Sequence, residues 1–235
     1  MREQTQVTVR RSGGVVVIRA AGAPNAAVGY LRAARQAVRT VAGVLPRWRP
    51  HLVVEVPADR ATYAAAIDGN VGERKELAAV TTQVRASAPA RVVLNPEVFP
   101  GMGRDGVRVV LAHEATHVAT HASASDLPIW LVEGFADYVA LRDMRVSMSR
   151  SAEQLIAWTR QHGPVDRLPG ERWFAASGLR LEAAYEASWL ACVAIADDRG
   201  EAGLVAFYRR AERSGRVEPP RGLVDEVNAL VAMLE

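Results

Sequence analysis

A chain of 235 residues, 49% hydrophobic and 23% charged, is long enough to bury a core as one large domain or two small lobes, which excludes a disordered protein. No apolar run approaches the roughly 18–20 residues needed to cross a bilayer, and Met1 to Thr5 lacks the basic head and apolar stretch of a signal peptide. As written the chain reads as soluble and cytoplasmic by default, or as extracytoplasmic if a leader or anchor has been removed. Its 29 basic and 26 acidic residues leave a net charge of +3, too small to argue for a nucleic-acid partner although the pI is 9.4. Lys75 is the only lysine; the arginine and alanine abundance reads as the codon bias of a GC-rich genome. Cys192 is the only cysteine, so an intramolecular disulfide and any cysteine-based metal cluster are excluded, and a metal site must use His and carboxylates.

In chain order, Gln6 to Arg10 and Val15 to Ile18 are β-branched or alternating, and Ser12-Gly13-Gly14 between them predicts a β-hairpin. A helix follows, capped by Asn25, striped by Val28, Leu31, Val38 and Val41, and ended by Pro46. Strands are predicted over His51 to Val56, Ala78 to Val84 and Arg91 to Leu94, with a short helix from Asp59 to Asp68. Beyond Asp105 the strand signal gives way to helical patterns, as in an α+β lobe followed by a helical lobe, with the change near residue 122. Asp105 is expected to cap a helix to about Ala122, and Asp126 with Pro128 to start another to about Asp143. Ser151 and Gln154 read as a capping box for a third, stopped by Gly163-Pro164. Leu179 to Arg199 forms a long helix ending at Gly200, followed by shorter ones over Leu204 to Glu212 and Leu223 to Leu234.

His113-Glu114-Ala115-Thr116-His117 is the sharpest chemical signal. Residues four apart on a helix differ by about 40° of rotation, so both imidazoles leave one face and can reach one ion at roughly 2.0–2.1 Å. Glu114 lies on the adjoining strip, which suits a carboxylate that takes a proton from water activated by the metal rather than binding the metal. With five histidines and sixteen glutamates, chance would produce this pattern with a probability of roughly 1%. The plainer reading is a surface helix with exposed histidines.

A catalytic zinc wants three protein ligands and one open position. Glu133, within Ile129-Trp-Leu-Val-Glu-Gly-Phe-Ala-Asp-Tyr138 on the next predicted helix, is the candidate third ligand, because a carboxylate among Trp130, Leu131, Val132 and Phe135 is costly to bury unpaired. Asp137, one turn farther along the same face, is placed to accept a hydrogen bond from a ligand imidazole, His113 for preference. A solvated helix charge is the plainer reading of either carboxylate.

These residues resemble the gluzincin metallopeptidases, zinc enzymes that pair His-Glu-x-x-His with a Glu on the following helix. Trp130-Leu-x-Glu-Gly-Phe-Ala-x-Tyr138 is similar to the aminopeptidase branch, and the chain length is nearest to the compact peptidase MA-like domains. Fifteen residues separate His117 from Glu133, somewhat fewer than in thermolysin-like or aminopeptidase members. The resemblance covers about residues 105 to 142, and more loosely the chain through Tyr185 to its end. It implies a zincin-like α+β fold, with an N-terminal mixed lobe over 1–122 ending in the motif helix, a mainly helical lobe over 123–235, and an active-site cleft between them, the whole forming one catalytic unit. It also implies one zinc ion held by His113, His117 and Glu133, with Glu114 as general base and proton shuttle.

Aminopeptidases carry an upstream Gly-x-Met-x-Asn segment for the substrate amine, which Gly101-Met-Gly103 does not match. The resemblance therefore carries no amine recognition. Relatives commonly supply a Tyr or His from their C-terminal helices to the oxyanion; Tyr185 is the choice here, against the alternative that it packs with Trp189. Tyr138 reads as a core residue and His121 as partly exposed, since Thr120 and Ser123 break the longer metzincin pattern. Arg91 to Asn95 is either the edge strand along which an extended peptide lies or an ordinary core strand. The expected activity is hydrolysis of peptide or protein substrates by metal-activated water. One rival is a catalytically silent zinc-binding domain serving as a binding or regulatory module, against which an intact Glu114 argues. Another, a DNA-associated protease, rests on arginine content alone.

Overall fold

A computed structural model describes residues 7–23, 27–67, 77–83 and 89–235. The chain divides into two compact units, Met1–Ala124 and Ser125–Glu235. The first carries a small five-stranded mixed sheet and the second is mostly helical, so the fold class is α+β. Among the described residues no helix is long and apolar enough to cross a membrane.

In the first unit, β1 (Val7–Ser12) and β2 (Val15–Ala20) form the expected hairpin. Its two-residue loop needs positive φ at both positions, and Gly13 and Gly14 supply φ of 55° and 78°. Helix α1 (Ala27–Val44) follows, with Val38 and Val41 buried and Leu31 half-buried, and it stops two residues before Pro46. Next come β3 (Leu52–Val56), α2 (Arg60–Ala66), β4 (Ala79–Thr82) and β5 (Arg91–Leu94). Asp59 caps α2 by accepting the Thr62 N–H at 2.8 Å. The expected participation of Gln6, Asn25, Asp68 and Val84 in these elements lies outside the described residues.

The strand order is β1-β2-β3-β5-β4, with β2, β3 and β5 parallel and both flanking strands antiparallel to their neighbours. Arg91 to Leu94 is therefore an interior strand, and β4 is the edge that the edge-strand reading had assigned to it. Periodicity cannot make this distinction, because a strand buried on both faces and a short edge strand are both brief and β-branched. Paired residues on neighbouring strands share a face, so Val17, Val54, Val92 and Thr81 form one row across the sheet. The three valines are at most 1% exposed, and threonine ends the row at the edge. On the opposite face Val80 and Val93 pack with Tyr63, Ala66 and Ile67 of α2.

Helix α3 (Arg104–Ala119) packs on α1 and against β4 and β5. Gly103 is its N-cap; Asp105, expected there, sits instead in the first turn, where a carboxylate still favours the helix dipole. The helix ends earlier than the expected Ala122, because Thr120 leaves the helical conformation and His121 has φ of 51°.

In the second unit, α4 (Ile129–Leu141) packs on α8 (Leu179–Ser214), and α6 (Glu153–His162) and α9 (Leu223–Leu234) pack on α8 as well. Short α5 (Met148–Ser151) and α7 (Glu171–Phe174) had no separate signature in the sequence. Leu131, Phe135 and Val139 are fully buried on α4, and Phe135 stacks on Tyr208 with ring centroids 4.4 Å apart. Where α4 crosses α8 the backbones nearly touch: a Cβ on Gly134 would stand 2.1 Å from the Ser188 carbonyl oxygen. The long helix is broken at Gly200 (φ 73°, ψ 162°), as its sequence suggests, and its second half runs two residues past Glu212.

The capping box assigned to Ser151 and Gln154 does not form. Ser151 ends α5, and α6 begins at Glu153 with no side-chain cap of its own. The Glu186 carboxylate, on α8, instead accepts the Leu155 N–H at 2.6 Å. A cap arriving from 31 residues away leaves no local sequence mark.

Candidate active site

Helix α3 presents the motif along one side while its other residues bury it. Leu111, Ala112, Ala115, Val118 and Ala119 are buried, which fixes the helix rotation and thereby the direction of His113, Glu114 and His117. His113 is half-buried, and Glu114 and His117 are 7% and 9% exposed. The two imidazoles meet edge to face, with centroids 4.5 Å apart and planes at 87°. Their Nε2 atoms are 2.9 Å apart, so both aim at the same point in space. Two nitrogens bound to one tetrahedral zinc would stand roughly 3.3 Å apart, and a few tenths of an ångström separate the two geometries.

Glu133 joins this pair. Among the described residues, His113, His117 and Glu133 each offer one ligand atom, and these atoms all lie within 4.8 Å of one another. The residues of the motif and its downstream glutamate are thus brought together, and the group is close enough to hold a metal ion. A donor set of two imidazoles and one carboxylate suits zinc and leaves one tetrahedral position for water. Cys192, fully buried on α8, has its thiol pushed well above the usual value by burial and by the charge of Asp137.

Sequence reasoning did not single out Thr81. Its hydroxyl, on edge strand β4, lies 2.5 Å from Glu114 Oε2 and 3.2 Å from the Glu114 carbonyl oxygen. A buried carboxylate is costly without such a donor. The signal was hidden because only the pairing of Thr81 with Val92 shows which face of the sheet it occupies.

The remaining sequence candidates are placed as follows. Asp137 is half-buried on α4, one turn from Glu133, near Cys192. Tyr185 is half-buried on α8, and its ring meets Phe174 edge to face at 5.0 Å. Tyr138 is half-buried rather than fully in the core; its hydroxyl donates to Glu201 at 3.4 Å, and burial with the Glu201 charge raises its pKa. His121 is exposed, as is His51, while His162 stacks on Trp158 with centroids 3.8 Å apart.

Residues 27–160, more than half of the chain, match the family described as peptidase of plants and bacteria (BSP). The chain belongs to that family. No curated protein and no solved structure matches it.

Proposed function

We propose that this chain is a zinc-dependent metallopeptidase of the gluzincin type, with His113, His117 and Glu133 as ligands and Glu114 as general base. The observation that carries the proposal is the gathering of three ligand atoms within 4.8 Å from two stretches separated by fifteen residues. Membership of a peptidase family supports the hydrolytic reading. The chemistry zinc supplies at such a site is activation of water near neutral pH and polarisation of a carbonyl.

The chain's own residues do the rest. Glu114 takes a proton from the attacking water and returns it to the leaving amine, the task for which a carboxylate beside the ligands, and not among them, is suited. Asp137 is proposed to orient a ligand imidazole and Tyr185 to donate to the oxyanion. Spacing supports the first and family resemblance the second.

The test is metal analysis together with digestion of a peptide library by the wild type and two variants. Glu114→Gln keeps stoichiometric zinc and loses about 10²–10⁴-fold in turnover. His117→Ala loses the metal. An active Glu114→Gln variant overturns the assignment of the base, and a zinc-replete His117→Ala variant overturns that of the ligands.

A further inference from the structure

We infer that Thr81 is the positioning residue of the Glu114 carboxylate, an inference that rests on Glu114 being the general base. The row Val17, Val54, Val92, Thr81 runs across one face of the sheet, and α3 packs against β4 at its end. The last residue of that row is thereby brought to the catalytic motif. Thr81 has one hydroxyl proton. At 2.5 Å, the Glu114 Oε2 contact has the length of a charge-assisted O–H···O⁻ bond, while the 3.2 Å carbonyl contact is ordinary.

Two consequences follow. The bond gives a hydrogen-bond donor to a carboxylate that is only 7% exposed. It also distinguishes the two oxygens: Oε2 is held by β4, and Oε1, which accepts no hydrogen bond from the described residues, is the one presented for proton transfer. An unrestrained glutamate side chain would divide its time among rotamers, few of them aimed at the imidazole pair. Thr81 touches no reacting atom in this scheme and acts through Glu114.

Thr81→Val keeps the branched shape and removes the donor, and Thr81→Ser restores it. Both are compared with Glu114→Gln in the zinc-loaded full chain. The readouts are steady-state cleavage of fluorescently labelled casein, zinc affinity by competition with a chromophoric chelator, and the crystal structure of Thr81→Val. The inference expects kcat to fall about 10–100-fold in Thr81→Val, with KM and zinc affinity within about threefold of wild type and turnover recovered in Thr81→Ser. It also expects the Glu114 carboxylate to be turned from its wild-type position. Wild-type kcat in Thr81→Val, an equal loss in Thr81→Ser, or an unmoved Glu114 overturns it. Should Thr81→Val not fold, Thr81→Ala carries the same expectations; should casein not be cleaved, the position of Glu114 decides. An active Glu114→Gln variant defeats the proposed function itself, whereas an inactive one beside an unimpaired Thr81→Val defeats this inference alone.

Discussion

Replacing Gly134 by alanine adds one carbon, and its effect follows from two opposed quantities. Alanine favours a helix over glycine by about 1 kcal/mol, so propensity alone would stabilise α4. The added Cβ, however, would lie 2.1 Å from the Ser188 carbonyl oxygen, 2.5 Å from its carbon and 3.2 Å from the Cys192 sulfur. Non-bonded carbon and oxygen approach to about 3.3 Å, so relief requires α4 and α8 to part by about 1 Å. The obstacle is backbone and cannot rotate away. Overpacking of this kind costs about 3 kcal/mol or somewhat more, and a gap of that width forfeits a quarter to a half of the contact energy along the crossing.

The net expectation is a loss of about 2–3 kcal/mol, or roughly 5–10 °C in Tm for a chain of this length. Gly29 on α1 supplies the control: a Cβ there meets nothing within 4 Å, so Gly29→Ala should gain about 0.5 kcal/mol. Calorimetry of both variants in chelator, which removes any contribution from bound metal, measures the difference. Equal shifts in the two variants, or a Gly134→Ala protein as stable as wild type, would refute the argument from close approach.

The remaining predictions are shorter. Burial raises the Glu186 carboxyl from 4.5 to about 7, with the Glu182 and Glu153 charges adding and the Leu155 and Gln154 N–H groups opposing. A folded pKa above the unfolded one means that its stabilisation is complete below pH 4.5 and is lost as pH rises through 7. Glu186→Gln should therefore flatten urea-measured stability between those values by about 1–2 kcal/mol once partial exposure is allowed for; an unchanged pH profile counts against it. Phe135→Ala, which empties a fully buried site stacked on Tyr208, should cost about 3–5 kcal/mol in the same titration, and a loss under 1 kcal/mol would contradict the packing. Glu133→Ala should weaken zinc binding by at least about 10-fold in a chelator competition, and unchanged affinity would point to another third ligand.

Much of the fold was legible because its signals are local. The Gly13-Gly14 turn, the short helix beginning near Asp59, the break at Gly200 and the four residues from Arg91 to Leu94 are each marked by nearby residues. What stayed hidden is set by distant partners. Glu186 caps α6 from α8, the order of β4 and β5 in the sheet depends on pairing, and Gly134 is required by a carbonyl on another helix. The site divides in the same way. The spacing of His113, Glu114 and His117 declares its helix face, and the apolar setting of Glu133 marks a carboxylate in need of a partner. Thr81 lies 33 residues before Glu114 in a short polar stretch and is revealed only by sheet register.

The account turns on whether one zinc ion is shared by three named side chains. Anomalous diffraction at the zinc edge, from crystals grown with the metal, tests this most directly. The account predicts one strong peak within about 2.0–2.2 Å of both Nε2 atoms, of His113 and His117, and of a Glu133 carboxylate oxygen. A peak elsewhere, or Glu133 turned away from the two imidazoles with no other side chain in its place, would contradict it.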